Sequence, residues 1–131
     1  CNHKDYFILS KILMFKTAEL IAEKEKAKYL ITGENLAQVS SQTLSNLNVI
    51  TKNLKLEIFR PVLTFDKQEI INLAKKIGTY ETSKGPEICC LLGPKSPSTK
   101  SNPEKIAAQL EKLELDKIMK ESLNKAEVLE S

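Results

Sequence analysis

Two adjacent cysteines, Cys89 and Cys90, lie in the stretch PEICCLLGPKSPSTK at residues 86–100. The thiolate is the nucleophilic form of cysteine, and a free thiol with a pKa of about 8.5 needs nearby positive charge to ionise at neutral pH. Lys67 and Lys95 are among the lysines that could supply this charge. The Gly and Pro residues of the stretch predict a loop, which offers little core for burying a cysteine. The pair is therefore a candidate for sulfur chemistry.

Three other interpretations of the cysteine pair stay open at this point. A single cysteine is often a small buried apolar residue, and adjacent cysteines can form a strained vicinal disulfide. The pair could also bind a metal ion together with Cys1 and His3. The spacing matches no common zinc pattern, so we predict no metal site.

A second group of candidate residues follows two short apolar runs, KYLIT at 28–32 and LEIFRP at 56–61, which we interpret as buried strands. The loops that leave them are TGENLAQVSSQT and RPVLTFDK. In open α/β sheets, ligands bind beyond the carboxyl ends of the strands. Serine and threonine hydroxyls in the first loop, with Arg60 and Lys67 in the second, could bind an anion such as phosphate. The alternative is that the serines and Asp66 only cap helices.

The helices that must position these loops are predicted from apolar spacing and capping residues. Residues 4–26 indicate a long helix with one buried side, and Ser40 or Ser41 is expected to cap a helix that follows it. Asp66 with Glu69 predicts a capping box, and Gly78 predicts the end of that helix.

The C-terminal part of the chain is predicted to be helical after a long irregular segment. Residues 79–103 hold several Gly and Pro residues, so we expect no regular secondary structure there. Asn102 with Pro103 should start one helix, and a last helix should cover about residues 115–128. The chain thus divides into a core at 1–78, a cysteine loop at 79–103 and helices at 104–131.

Strands and helices alternate at a spacing that predicts an α/β fold with parallel strands, flanking helices and a C-terminal helical segment. Two strands give too little sheet to cover these helices. We expect the remaining strands to come from an N-terminal segment or from another chain. Because the sequence starts at Cys1, we interpret it as a processed or excised piece.

Composition indicates a single soluble domain. The 131 residues fit one domain, and the net charge of +3 indicates only a mild preference for nucleic acid or phosphate. Three cysteines do not form a framework of pairs, which predicts a reducing, cytoplasmic compartment. No apolar run approaches the roughly 20 residues that span a bilayer, so no membrane association is expected.

Three motifs in register resemble one known family. ITGENLAQVSSQTLSNL, RPVLTFDKQEIINLAKKIGTYE and PEICCLLGPKSPSTK are similar to the C-terminal half of the PP-loop adenylation domain of tRNA 4-thiouridine synthetases, also called tRNA sulfurtransferases or thiamine biosynthesis protein ThiI. The resemblance runs from about residue 8 to the end. It implies a partial Rossmann-like fold of the adenine nucleotide alpha hydrolase (PP-loop ATPase) type. It also implies an ATP-dependent enzyme that adenylates a tRNA uridine and replaces its carbonyl oxygen with persulfide sulfur.

The resemblance also implies roles for individual residues. Lys67 is a catalytic candidate, and the family's PP-loop cysteine matches Cys89 when counted from PE, or Cys90 when counted back from KSP. The other matched positions are expected to bind the nucleotide. They are Gly33, Glu34, Gln38, Ser40, Ser41, Gln42 and Thr43 in the first loop, and Arg60 and Asp66 in the second.

Cofactors and partners follow from the resemblance in the same way. The complete enzyme is expected to use ATP with Mg²⁺, tRNA, and a persulfide sulfur donor supplied by a cysteine desulfurase or another sulfur carrier. A homodimer and sulfur transfer to the thiamine thiazole are also implied. Some members carry a Cys-x-x-Cys pair near the start of the first helix. This chain has Phe7 and Ser10 near that place, so no iron–sulfur cluster is expected here.

One family motif is not present in the sequence. The phosphate-binding loop Ser-Gly-Gly-x-Asp-Ser belongs to the preceding half of the domain, which could be supplied in cis or in trans. We therefore expect the chain to be inactive on ATP by itself. Two other functions remain: a non-catalytic dimerisation or tRNA-docking piece, and a PP-loop adenylating enzyme with another acceptor.

Overall fold

The computed structural model describes residues 1–36, 39–52, 54–85 and 92–127. Short 3₁₀ helices cover His3–Asp5 and Ser40–Gln42. The helices and strands are, in chain order, α1 (Tyr6–Lys24), β1 (Tyr29–Ile31), α2 (Leu44–Thr51), β2 (Glu57–Phe59), α3 (Lys67–Lys76), α4 (Tyr80–Ser83), α5 (Pro103–Glu111) and α6 (Leu115–Asn124). None of the described helices is long and apolar enough to cross a membrane.

The hydrophobic core lies between α1, α2 and α5. Ile8, Ile12 and Phe15 recur along α1 at helical spacing, so they share one buried face. Ile50 of α2 and Ile106 of α5, each 2% exposed, complete this cluster. The core is therefore made mainly by helices, with the sheet packed against one side of it.

The two strands form a parallel sheet, as predicted. Leu30 lies opposite Ile58 in the register, and both pack against the helical core. Since parallel strands need a crossover connection, α2 links them in a βαβ unit. The expected α/β architecture is confirmed.

The strands differ from the prediction in burial and length. Tyr29, Ile31 and Phe59 are at least half exposed, and the rings of Tyr29 and Phe59 contact each other edge to face with centroids 5.0 Å apart. Only one face of this sheet is covered by the described residues, so the prediction of strands buried on both faces is wrong. Ile21 of α1 is also exposed, although its neighbour Ala22 is buried.

Helix α3 begins and ends where the sequence predicted. The Asp66 carboxylate accepts from the Glu69 N–H at 2.8 Å, and the Glu69 carboxylate accepts from the Asp66 N–H at 2.7 Å. Gly78 has a φ of 79°, the left-handed conformation that favours glycine after a helix. All of α3 is described and none of its residues is buried, so local capping defines this helix more than packing does.

Three other expectations are wrong in detail. The N-cap of α2 is Thr43, which accepts from the Asn46 N–H at 3.2 Å, because Ser40 and Ser41 form their own 3₁₀ turn. Helix α4 lies inside the segment expected to be irregular, and Lys75 and Lys84 lie over its Tyr80 ring. Helix α6 ends at Asn124, before the expected limit of 128.

The segment 92–101 folds back on the start of α1. The Ser98 N–H donates to the Lys4 carbonyl at 2.9 Å, and His3 Nε2 lies 3.0 Å from the Leu92 carbonyl oxygen. Gly93 packs so closely on the Phe7 ring that an added Cβ would overlap it. These contacts join residues about 90 positions apart in the sequence.

The helical core predicts which substitutions destabilise the chain. Ile50→Ala should lower the free energy of unfolding by about 2–4 kcal/mol, because it removes buried methyl groups and leaves a cavity. Leu44→Ala, on the same helix but 71% exposed, should cost less than about 0.5 kcal/mol. Urea unfolding of both variants measures the difference, and equal losses would contradict this assignment of the core.

Candidate nucleotide site at the strand ends

The loops that follow β1 and β2 start side by side. Ile31 pairs with Phe59 at the ends of the strands, and the Thr32 N–H donates to the Phe59 carbonyl at 3.0 Å. Because the strands are parallel, their carboxyl ends lie at the same edge of the sheet. Gly33 and Arg60 therefore leave the sheet next to each other.

Asn35, which is 4% exposed, ties the two loops together. Its side-chain amide donates to the Val62 carbonyl at 2.9 Å and also to the Phe65 carbonyl. The Leu36 N–H donates to the Leu63 carbonyl at 2.9 Å. The second loop is thereby held against the first up to Phe65, two residues before α3 begins.

The Glu34 carboxylate is the electrostatic centre of the site. It accepts from Lys11 Nζ at 2.7 Å and from Arg60 Nε at 2.9 Å, and its side chain is 5% exposed. Buried carboxylates are stable only when charges and hydrogen bonds compensate for their lost hydration. Two cations around one anion leave a net positive charge, which favours an anionic ligand.

A cleft of about 380 Å³ opens beside this ion-pair network. Its walls are mostly apolar and come from α1 and β1, and its polar groups come from α1, the β1 loop and the 3₁₀ turn before α2. Apolar walls with a few convergent polar groups are typical of small-molecule sites. The apolar lining is Met14, Phe15, Ala18 and Ile31, and the polar lining is Lys11, Thr32, Glu34 and Gln42 with Gly33.

Two polar atoms of the cleft residues lack a partner in the described part of the chain. Thr32 Oγ1 and Gln42 Oε1 are buried and accept or donate no hydrogen bond there, and Arg60 Nη2 is in the same state. Most buried polar atoms in proteins are hydrogen-bonded, so such atoms need a partner. A ligand with hydroxyl, amine or phosphate groups fits this donor set, and a purine nucleotide carries all three.

Comparison with known proteins identifies the family. Residues 1–115 match the sequence profile of the family described as Thiamine biosynthesis protein (ThiI). The chain belongs to the ThiI family. Its curated relatives include two proteins named "Probable tRNA sulfurtransferase", from Coxiella burnetii at 42% identity and from Methanosarcina mazei at 37%, each over 98% of this chain. The chain spans about a third of the length of these relatives, 33% and 32% respectively.

A solved structure has the same fold. A 4-thiouridine synthetase, determined as an RNA complex with bound ATP, superposes with a TM-score of 0.82 at 39% identity. The match covers 95% of this chain and 33% of that one. The predicted α/β, partial Rossmann-like fold is confirmed.

Several residues predicted from the ThiI resemblance meet at the cleft. Gly33, Glu34 and Gln42 line it, whereas Arg60 lines a separate cavity beside α2 and binds Glu34. Ser41 is buried, at 4% exposure, in the turn between β1 and α2. These residues come from three parts of the chain that the parallel sheet brings together.

Other predicted residues have structural tasks or lie apart from the cleft. The Thr43 hydroxyl caps α2 and donates to the Thr99 carbonyl at 2.8 Å, and the Asp66 carboxylate caps α3. Lys67 is the exposed first residue of α3. Ser40 lies in the 3₁₀ turn. Gln38, Cys89 and Cys90 lie outside the described residues, and their predicted roles stay predictions.

Lys11, Thr32 and Asn35 are site residues that the sequence reasoning missed. Lys11 interrupts the apolar run FILSKILMF of α1, and a lysine within such a run needs a compensating acid. That signal could have found it, but the acid that pairs with it lies 23 residues away. Within the described ranges, no group of three or more His, Cys, Asp or Glu side chains could hold a metal ion.

The ion-pair network of this ThiI-family chain should contribute strongly to stability. Glu34→Ala should lower the free energy of unfolding by about 3 kcal/mol, because it leaves Lys11 and Arg60 partly buried without their carboxylate. Glu81→Ala is the matched control, since it removes a carboxylate from the exposed pair with Lys84 and should cost less than about 0.5 kcal/mol. Urea unfolding measures both, and a loss at Glu34 no larger than at Glu81 would contradict the network's importance.

Proposed function

We propose that this chain is the part of an ATP-dependent tRNA sulfurtransferase that holds the adenine nucleotide and carries the sulfur-transfer cysteines. The observation that supports this most is the mostly apolar cleft at the strand ends, next to the Lys11–Glu34–Arg60 ion pairs, in a chain that matches an ATP-bound 4-thiouridine synthetase at a TM-score of 0.82. Relatives named for tRNA sulfurtransferase activity support the same function. The product would be 4-thiouridine in tRNA.

The cleft offers both apolar surface and polar groups to an adenine nucleotide. Phe15 and Met14 offer apolar surface for a purine, while Gln42 and Thr32 offer the polar atoms that can recognise base or ribose. Lys11, which lies on the cleft and is 25% exposed, can reach a phosphate oxygen without leaving Glu34.

The proposed reaction has two steps. The O4 oxygen of a tRNA uridine attacks the α-phosphorus of ATP, and pyrophosphate leaves with the electrons of the broken P–O bond. The terminal sulfur of a cysteine persulfide then attacks C4, and AMP leaves with the original oxygen. A second thiolate cleaves the S–S bond, which leaves the terminal sulfur on the uridine and forms a disulfide with the carrier cysteine. A dithiol reductant restores the thiols.

The chain's own residues would serve these steps in distinct ways. Lys11 and the Arg60 guanidinium provide fixed positive charge near the phosphates, and preorganised charge stabilises a developing negative charge in the transition state. Lys67, exposed at the start of α3, would assist adenylation as a mobile cation. Cys89 or Cys90 would carry the persulfide. Mg²⁺ would neutralise the triphosphate, and we assign none of its ligands to this chain.

The partners of the complete enzyme belong to the same proposal. A tRNA supplies the uridine, a cysteine desulfurase or another carrier supplies the sulfur, and the PP-loop half of the domain supplies the phosphate-binding loop in cis or in trans. We also propose a homodimer, a cytoplasmic location, and sulfur transfer toward the thiamine thiazole as a second use of the persulfide.

Removal of the Lys11 charge tests the nucleotide cleft. In the intact enzyme, Lys11→Met should weaken ATP binding about tenfold, because a charge-assisted contact is lost. Lys16→Met is the matched control, since Lys16 lies on the same helix but outside this cleft. Calorimetric titration with ATP measures both, and equal affinities for the two variants would argue against this cleft as the nucleotide site.

Substitution of the cysteines tests the sulfur role. Replacing both Cys89 and Cys90 with Ser should abolish 4-thiouridine formation, because serine cannot form a persulfide, while ATP-dependent release of pyrophosphate with tRNA persists. The single variants identify the carrier, and Cys1→Ser, at an exposed free thiol, is the control. Mass spectrometry of digested tRNA provides the measurement, and full activity of the double variant would refute the proposed sulfur carrier.

The same assays separate the two alternatives. A protein that binds tRNA but neither binds nor cleaves ATP would be a docking or dimerisation piece. A protein that releases pyrophosphate with another acceptor and not with tRNA would be a PP-loop adenylating enzyme of different specificity.

A further inference from the structure

Asn46 is the most completely buried polar residue in the described core, with 0% exposure. Its side-chain amide donates to the Ser98 carbonyl at 2.9 Å, and its side-chain oxygen accepts from the Ser101 N–H at 2.9 Å. One side chain of α2 thus binds both ends of the turn 98–101, which lies more than 50 residues further along the chain.

Neighbouring groups reinforce this connection. Thr43, the N-cap of the same helix, donates from its hydroxyl to the Thr99 carbonyl at 2.8 Å. The Ser98 N–H donates to the Lys4 carbonyl, so the turn is also fixed to the start of α1. We call Thr43 and Asn46, with their bonds to 98–101, the α2 latch.

The α2 latch adjoins the nucleotide cleft. Gln42, which lines the cleft, directly precedes Thr43, and the latch occupies the first turn of the helix that follows. On the other side, the turn 98–101 follows the cysteine stretch 86–100 in the sequence and ends at Asn102, the cap of α5. The latch therefore joins the rim of the cleft to residues 98–101, which follow the cysteines in the sequence.

The hydrogen bonds of the latch are better suited to fixing the position of the turn 98–101 than to stabilising the fold. A buried amide must lose its hydration to make these bonds, so its net contribution to stability is modest, whereas an apolar side chain of similar size would pack without that loss. What two directional bonds add is a fixed position for the turn, since each has a narrow range of distance and angle.

We infer that Asn46 is a positioning residue for sulfur transfer: it fixes the turn 98–101 relative to the nucleotide cleft, so that the thiol-bearing segment meets the adenylated uridine in one geometry. This inference rests on the proposed function. Asn46 touches no reacting atom in it. A displacement of about 1 Å at a reacting group can cost about a hundredfold in rate, so loss of the latch should slow the sulfur step specifically.

The first test uses Asn46→Leu in the intact enzyme, with Asn48→Leu as the matched control on the exposed side of the same helix. We expect Asn46→Leu to lower the kcat for 4-thiouridine formation by about tenfold or more, with the KM for ATP and the rate of pyrophosphate release changed by less than about twofold. A purely structural role would instead lower both rates together, in proportion to the folded fraction.

The second test remains decisive if Asn46→Leu does not fold. Thr43→Ser keeps the hydroxyl that bonds to Thr99 and caps α2, whereas Thr43→Val keeps the shape and loses both bonds. We expect Thr43→Val to lower sulfur transfer several-fold relative to adenylation, and Thr43→Ser to leave the ratio of the two rates unchanged.

The outcomes distinguish this inference from the function on which it rests. If the wild-type enzyme forms no 4-thiouridine, the proposed function is wrong, and the inference fails with it. If the wild type is active but Thr43→Val matches Thr43→Ser, and Asn46→Leu matches Asn48→Leu or loses both steps equally, the positioning role alone is overturned.

Discussion

The buried carboxylate of Glu34 is the interaction on which the candidate site depends. It is bonded at the same time to Lys11 on α1 and to Arg60 after β2, while its own backbone belongs to the loop after β1. Three separate parts of the chain must therefore meet before both ion pairs are formed. The same three side chains carry one excess positive charge and lie beside a mostly apolar cleft. Positive charge suits the phosphates of the proposed nucleotide, and apolar surface suits its base.

Different parts of the fold provide the stabilising core and the candidate site. The helices α1, α2 and α5 supply the apolar core, and the two short strands contribute mainly one partly buried residue each, Leu30 and Ile58, to it. The site lies at the edge of that sheet and on the loops beyond it. Polar side chains, such as Asn35 in the loop after β1 and Asn46 on α2, replace apolar packing as the means of fixing loops in place.

Local sequence signals predicted the parts of the structure that local forces determine. The capping box of Asp66 and the start of α5 at Asn102 were correct because capping needs only groups within three or four residues. The cap of α2 was wrong, because three hydroxyl residues lie within four positions and a tight 3₁₀ turn uses the first two. Lys11 was missed because its significance comes from a partner on another element, which no local pattern contains.

Burial of the strands was overestimated for a related reason. An apolar run such as KYLIT has the same composition whether one face or both faces are covered, and only tertiary packing distinguishes the two cases. The rule that ligands bind beyond the carboxyl ends of parallel strands placed the two loops together, and Gly33, Glu34 and Arg60 do lie near one another. The resemblance to the ThiI family did not indicate that Thr43 is engaged in holding residues 98–101.

The contact between Gly93 and the Phe7 ring ties the identities of two distant positions to each other. The missing side chain at position 93 leaves room for the tip of that ring, so a larger residue there requires the ring at position 7 to move or to be replaced by a smaller residue. Related sequences should consequently change at both positions together, and an aromatic residue at the first should accompany glycine at the second. A substitution at position 7 in the first helix is therefore coupled to position 93, which follows the cysteines in the sequence.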